Sequence, residues 1–181
     1  MTKKRKTNSV TNLKSALIDL LLEMEYSKIT IGNITQRANV SRGTFYQHFL
    51  DKDDLAYSIG TETMKRFWEI LAQGNLDKED MLLKALLLIK NDYKHFKAIS
   101  KAPHVQFKDK VQQLICDLIN NNPAIREKIK KNTKISDEIV IKAFSTSFET
   151  IISSWIDNDL SESPEKVVDN IIKIEQLFWK K

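Results

Sequence analysis

Apolar residues recur at spacings of three and four along most of the chain, which is the pattern of helices that bury one face. The first such segment covers residues 11–24, and Thr11 or Asn12 is its expected N-cap. Its apolar stripe consists of Leu13, Leu17, Leu20, Leu21 and Met24. The pattern predicts an amphipathic first helix.

Capping residues and apolar spacing predict eight further helices. The second is short and follows Thr30, the third follows Ser41, and the fourth runs from Asp51 to about residue 73. The later ones are predicted over residues 79–99 and 104–119, shortly after Pro123, and over residues 136–157 and 163–180. Because only 4 Gly and 3 Pro occur, hairpin turns are scarce, and an all-α fold of about nine helices is expected.

The second and third helices are joined by only a few residues, which is the arrangement of a helix-turn-helix. The turn requires left-handed backbone geometry, and asparagine tolerates it best after glycine, so Asn39 is expected there. The residues predicted to form the core of this motif are Ile34, Ala38, Asn39, Val40, Phe45 and Phe49.

The residues left on the outside of the third helix suit DNA. Arginine can pair with guanine, glutamine with adenine or a phosphate, and threonine with a phosphate or a thymine methyl. Glycine would let the backbone of the helix approach the duplex. The predicted DNA contacts are Thr30, Thr35, Arg42, Gly43, Thr44, Tyr46, Gln47 and Lys52.

The distribution of charge agrees with that interpretation. Residues 1–50 hold eight basic and three acidic side chains, which accounts for the whole net charge of +5. A basic local surface suits a polyanion, either nucleic acid or an anionic membrane face. A solvated tail would explain residues 3–6 but not Arg37 and Arg42.

The sequence contains few features that would support a catalytic or metal-binding function. His48, His95 and His104 lack metal-ligand spacing, and no nucleophile and base pair or phosphate loop is visible, so no metal, cofactor or catalytic site is predicted. Cys116 stands alone in an apolar helix, which makes a cytosolic location the default expectation. No signal peptide or membrane span is predicted.

The segment TIGNITQRANVSRGTFYQHFLDKDDL, residues 30–55, resembles the DNA-binding head of the TetR family of bacterial transcriptional regulators. The resemblance covers roughly residues 10–57, and the order, the spacing and the flanking helix agree. It departs from the family pattern at Asn39, where glycine is usual, at Thr35, where alanine is usual, and at Glu25, where glycine often ends the first helix.

The resemblance implies that the outer residues of the third helix, with Lys52, contact operator DNA. It also implies a helical body that encloses an effector pocket and dimerises through its last two helices. The predicted dimer contacts are Phe148, Ile151, Ile152, Trp155, Val168, Ile171 and Ile172, although core packing within one chain would give the same pattern. The aromatic residues that either line the pocket or fill the bundle are Trp68, Tyr93, Phe96 and Phe107.

The sequence thus predicts a basic arm at residues 1–8, a helix-turn-helix DNA-binding domain at residues 9–57 and an effector-binding and dimerisation body at residues 58–181. The predicted function is a ligand-responsive repressor that binds a pseudo-palindromic operator as a homodimer. The alternatives are a helical protein-interaction module, a membrane-surface binder, and a co-activator of the same fold without a small-molecule effector.

Overall fold

The computed structural model describes residues 2–71, 78–123, 126–127 and 135–179 of the chain, and the side chains of residues 8–70, 78–123, 126–127 and 135–177. Over these ranges no strand occurs, and the all-α prediction is confirmed. The helices are α1 (Thr2–Glu23), α2 (Ile31–Arg37), α3 (Arg42–Tyr46), α4 (Lys52–Leu71), α5 (Lys78–Asn91), α6 (Tyr93–Ser100), α7 (Phe107–Asn120), α8 (Asp137–Asp157) and α9 (Pro164–Trp179). Single 3-10 turns occupy Tyr26–Lys28 and Pro103–Val105.

Three helix bounds differ from the prediction. α1 begins at Thr2, because lysine and arginine are good helix formers even where no apolar stripe marks the helix. The helix predicted over residues 79–99 is two helices, since Asp92 leaves helical geometry with φ −121° and ψ 39°. α7 begins at Phe107 because Gln106, just before it, is left-handed with φ 54°. The short helix predicted after Pro123 falls mainly outside the described residues.

The chain divides into two compact units. Unit 1 contains Met1–Arg66 and Asp92–Phe107, and unit 2 contains Phe67–Asn91 and Lys108–Lys181. The predicted boundary at residue 57 separates a DNA-binding domain from an effector-binding and dimerisation body. That functional division stays a prediction.

In unit 1, α1 packs against α2 and α6, and α2 packs against α3. Ile34 and Phe45 are fully buried, and Ala38 and Phe49 are nearly so. The leucines of the α1 stripe are buried as well. The short helices α2 and α3 are therefore held mainly by their apolar residues.

The turn between α2 and α3 has the hydrogen bonds of a Schellman motif. The N–H of Val40 donates to the carbonyl of Thr35 at 3.0 Å, and the N–H of Asn39 donates to that of Gln36 at 3.2 Å. Asn39 is exposed and left-handed, with φ 52°. The asparagine thus occupies the one position of the turn that a residue with a larger or branched side chain would strain.

The start of α4 is fixed to the turn that follows α1. The Lys52 Nζ donates to the carbonyl oxygens of Tyr26 at 2.7 Å and Ile29 at 2.8 Å, and it lies 4.1 Å from the centre of the Tyr26 ring. The Tyr26 hydroxyl donates to Asp53 Oδ1 at 2.5 Å. Burial, followed by that hydrogen bond, raises the pKa of Tyr26.

In unit 2, α9 packs against α5 and α8. Trp155 is 4% exposed, and its indole N–H donates to the carbonyl of Glu162 at 2.9 Å. Lys78 of α5 forms an ion pair with Glu175 of α9. The last two helices are thus joined by an apolar core and by contacts around the loop between them.

A network of polar side chains in unit 1 links α4 to α6. Thr63 is 1% exposed, and its hydroxyl lies 2.7 Å from His95 Nε2. Arg66 pairs with Asp92 at 2.8 Å. Burial lowers the pKa of His95; the charges of Asp92 and Glu62 oppose that effect, and the charge of Arg66 adds to it.

The stability of the protein should therefore depend on pH through His95. Because the pKa of the folded state is the lower one, the unfolded chain takes up the proton first, and stability should fall as the pH drops below about 6.5. Urea unfolding at pH 7.5 and 5.5 measures this loss, and His95→Gln should make it smaller. An equal loss in both proteins would contradict the assignment to His95.

The turn makes a second prediction about stability. Asn39→Ala should lower the free energy of unfolding by about 1 kcal/mol, because alanine tolerates left-handed geometry less well than asparagine. Asn39→Gly should leave it close to that of the natural chain, since glycine adopts a positive φ without strain. Urea titration of both variants checks this, and equal stabilities for Ala and Gly would contradict it.

Candidate nucleic-acid interface

Side-chain caps fix where α2 and α3 begin. Thr30 Oγ1 accepts from the Asn33 N–H at 3.1 Å, and Asn33 Oδ1 accepts from the Thr30 N–H at 2.9 Å, which completes a capping box. Ser41 Oγ accepts from the Thr44 N–H at 3.0 Å and lies 2.9 Å from the Thr44 hydroxyl. Each cap holds the first turn of its helix, so the outer face of α3 has a defined direction.

That outer face is exposed. Arg42, Gly43, Tyr46 and Gln47 are exposed, and Thr44 is half-buried beside its cap. Tyr46 keeps 59% of its surface accessible, although its ring meets the buried ring of Phe45 edge-on at 5.5 Å. The face therefore carries an arginine, a tyrosine and a glutamine on a helix that is anchored from below.

Gly43 leaves this face without a side chain at its second position. A Cβ built on Gly43 would meet only the Ser41 Oγ, at 3.6 Å, which is ordinary van der Waals contact. Gly43 also has no positive φ. Neither the backbone nor the packing requires glycine here, so the free space above it is open to a partner.

Two predicted DNA contacts have structural roles instead. The prediction that Thr35 lies on the outer side of α2 is wrong: the residue is 5% exposed, and its hydroxyl donates to the carbonyl of Ile31 at 2.9 Å. Lys52 is half-buried, and two of its N–H groups donate to the carbonyls of Tyr26 and Ile29. We therefore leave both residues out of the DNA contacts proposed below.

Arg37, which contributes to the basic charge of the first 50 residues, is also occupied. Its guanidinium donates to both carboxylate oxygens of Glu23, at 2.8 and 2.6 Å, and so ties α2 to the end of α1. The hydrogen bond from Arg37 lowers the pKa of Glu23. Sequence reasoning missed this pair because the two residues lie fourteen positions apart.

His48 lies on the wall of a cleft in unit 1. The cleft has a volume of about 780 Å³ and lies between α1, α4 and α6, with Lys14, Glu62 and His95 also on its wall. The Nε2 of His48 is buried and has no hydrogen-bond partner among the described residues. No cluster suited to a metal ion occurs in the described part of the chain.

Three of the four aromatic residues predicted to line a pocket or fill the bundle belong to unit 1. Phe96 and Phe107 are buried in unit 1 with their ring centres 5.9 Å apart, and Tyr93 is half-buried in the same unit. Trp68 belongs to unit 2 and is 39% exposed. Phe96 and Phe107 therefore fill the core of unit 1.

The predicted dimer contacts separate into two groups. Those buried within the single chain, and so assigned to the core of the protomer, are Ile152, Trp155, Val168 and Ile171. Those that stay half-buried are Phe148, Ile151 and Ile172. Only the second group keeps surface that a second protomer can cover.

The capped helix pair with an exposed polar face on its second helix defines a helix-turn-helix protein. Residues 15–59 match the family model for bacterial regulatory proteins of the tetR family, and residues 77–176 match the model for a transcriptional regulator C-terminal region. The second match covers more than half of the chain. The chain belongs to the TetR family and is a DNA-binding transcriptional regulator.

Individual relatives agree with this assignment. The fatty acid metabolism regulator protein of Bacillus subtilis (strain 168) is 21% identical over an alignment 174 residues long, which covers 86% of this chain and 88% of that protein. A TetR transcriptional regulator from Streptococcus agalactiae 2603V has the same fold, with a TM-score of 0.70, 18% identity and coverage of 94% of this chain and 95% of that one. The dihydroxyacetone kinase operon activator DhaS aligns with a TM-score of 0.62 and 21% identity over 95% of this chain and 96% of its own.

The family model and these relatives describe regulators and not enzymes. None of the described helices is long and apolar enough to cross a membrane.

The open space above Gly43 predicts the effect of filling it. Gly43→Ala should fold normally, because the added Cβ has room, and its midpoint of thermal unfolding should not fall. If the backbone of α3 approaches DNA at this point, the methyl group should weaken binding to duplex DNA by about tenfold, by analogy with the cost of a lost charge-assisted hydrogen bond. Fluorescence anisotropy of a labelled duplex measures the change, and unchanged affinity would show that Gly43 is not a point of close approach.

Proposed function

We propose that this protein binds an inverted-repeat operator as a homodimer and represses transcription by covering a promoter. The observation that carries the proposal is the exposed outer face of α3, held in direction by the Ser41 cap and by the burial of Phe45 beneath it. One α3 of each protomer would enter the major groove, with half-sites one helical turn, about 34–36 Å, or a multiple of it apart.

Some side chains of this face are suited to contact DNA bases, and others are suited to contact the DNA phosphates. Gln47 is exposed at the end of α3 and has the amide group that pairs with adenine. The hydroxyl of Tyr46 can donate to a phosphate, and the half-buried Thr44 offers its methyl group to a thymine. Thr30, exposed at the start of α2, supplies a further polar group near the backbone.

For the dimer, we propose contacts through α8 and α9. Phe148 and Ile151 on α8 and Ile172 on α9 keep part of their apolar surface exposed in the single chain. Helices α8 and α9 already pack against each other, so these residues belong to a pair of adjacent helices. A second copy of the same pair would cover them in a symmetric four-helix arrangement.

For control, we propose that a small molecule held by the body shifts the population between forms that fit the operator and forms that miss it. The Bacillus subtilis relative is named as a regulator of fatty acid metabolism, and that name supports a metabolic signal. Repression is the mode that the TetR resemblance implies, whereas DhaS is named as an activator. Transcription in vitro with and without the protein separates the two modes. A cytoplasmic location and a regulatory role without catalysis form part of the same proposal.

The DNA proposal is tested by selecting duplexes from a random library and titrating the best one at several salt concentrations. Gln47→Ala should reduce the preference for the selected sequence by about tenfold, because one bidentate base contact is worth about 1–3 kcal/mol. Gln113→Ala, at an exposed glutamine on α7, is the matched control and should change nothing. The proposal fails if the natural chain shows no sequence preference, or if Gln47→Ala leaves that preference intact.

The dimer is tested by sedimentation equilibrium. The natural chain should sediment at twice its mass of 21.0 kDa at micromolar concentration. Ile151→Glu should shift it toward the monomer, since a charge would be buried in the interface. Thr146→Glu adds the same charge at an exposed position on the other side of α8 and should leave the dimer intact. A natural chain that sediments as a monomer would contradict the proposal.

A further inference from the structure

The end of the Arg42 side chain, from α3, occupies the space beside Gly32, the second residue of α2, where a larger residue would have its side chain. A Cβ built on Gly32 would lie 3.0 Å from the Arg42 Nη2, 3.9 Å from its Cζ and 3.4 Å from Thr30 Oγ1. Gly32 has no positive φ, so its backbone could carry any L residue. The absence of a side chain at Gly32 therefore matters for packing, because it leaves space for the guanidinium of Arg42.

The guanidinium that lies over Gly32 is a free cation within the described part of the chain. No described carboxylate or carbonyl accepts a hydrogen bond from Arg42, whereas Arg37 on the same helix pair is held by both oxygens of Glu23. Arg42 is also exposed. Its planar set of five donors is the group best suited to a bidentate contact with phosphate or with guanine.

We propose that Gly32 is a positioning residue, which lets Arg42 fold back from α3 across the start of α2 and so places its guanidinium on the DNA backbone. In a helix-turn-helix the first helix crosses the backbone, while the second lies in the groove. A guanidinium that lies over the first turn of α2 is on the backbone side of the motif. The inference rests on the proposed DNA-binding face of α3, and it replaces the guanine contact that the sequence suggested for Arg42.

It follows that Arg42 supplies affinity and salt dependence but no base preference. Phosphate contacts fix the register of a protein on DNA and carry no direct sequence information. Base preference would then come from Gln47 and Thr44. The two kinds of contact can be separated experimentally, because a phosphate contact changes the slope of log K against log salt and a base contact changes the ranking of sequences.

The test measures the affinities of Gly32→Leu, Gly32→Ala and Arg42→Ala for the selected duplex and for single-base variants of it. Gly32→Leu fills the space and should weaken binding to every duplex by about tenfold, with a salt slope smaller by about 0.9 and an unchanged ranking of sequences. Gly32→Ala should have a smaller effect, because the end of the arginine side chain needs to move only slightly.

A double-mutant cycle shows whether Gly32 acts through Arg42. In the Arg42→Ala background, Gly32→Leu should produce no further loss of affinity. Both glycine variants should keep the midpoint of thermal unfolding, since a side chain in a helix favours the folded state over glycine. If Gly32→Leu proves unstable, Gly32→Ala carries the same comparison.

The inference is overturned if Gly32→Leu weakens binding equally with and without Arg42, because the leucine would then clash with DNA directly. It is also overturned if Arg42→Ala removes the preference at one base pair. Either result leaves the proposed function in place as long as Gln47→Ala still relaxes sequence preference. The absence of any sequence preference in the natural chain would instead contradict the proposed function itself.

Discussion

The burial of Phe45 is the interaction on which the proposed DNA-binding face of α3 depends. α3 has five residues, Arg42–Tyr46, and a helix of that length has no stability of its own in water. Its one fully buried side chain is Phe45, and the Ser41 cap closes its first turn. Because the side chains of a helix are fixed in phase, burying Phe45 places Gly43, two positions earlier, on the opposite side of α3 and leaves Tyr46 exposed. The packing of Phe45 in the core thus also fixes which residues of α3 are exposed.

Local signals were sufficient to predict this part of the fold. Thr30 and Ser41 cap their helices as their sequence positions indicated, and Asn39 takes the left-handed geometry that a tight turn requires. Each of these features depends on hydrogen bonds within about five residues. The amphipathic helices of unit 2 were likewise predictable, since α8 and α9 follow their apolar spacing and the proline that begins α9.

Pairings between distant residues were not predictable. The partners of Arg37 and Lys52 lie fourteen to twenty-six positions away, and no pattern in one sequence joins them. Thr35 shows a related error, because a threonine hydroxyl can be satisfied by the carbonyl one helical turn earlier and so be buried. The separation of α5 from α6 at Asp92 was not predictable either. The apolar spacing continues across Asp92, whereas the helical backbone geometry is interrupted there.

These pairings also change the meaning of the basic N-terminal quarter. Lys14 pairs with Glu62, Lys28 with Glu25 and Arg37 with Glu23, so three of the eight basic side chains in residues 1–50 form ion pairs within unit 1. Arg42 has no such partner among the described residues, and it lies on the face that the caps direct outward. The exposed guanidinium of Arg42, without a partner in the described chain, therefore supports the proposed DNA surface more directly than the total charge does.

Site-specific photocrosslinking to the selected duplex tests most directly whether α3 contacts DNA. A photoreactive phenylalanine analogue would replace Tyr46 on α3 or, as a control, Ile139 on α8, which are 59% and 61% exposed. If α3 lies in the major groove, position 46 should give a protein–DNA adduct and position 139 should give none. Equal adducts from both positions, or none from position 46, would contradict this placement of α3.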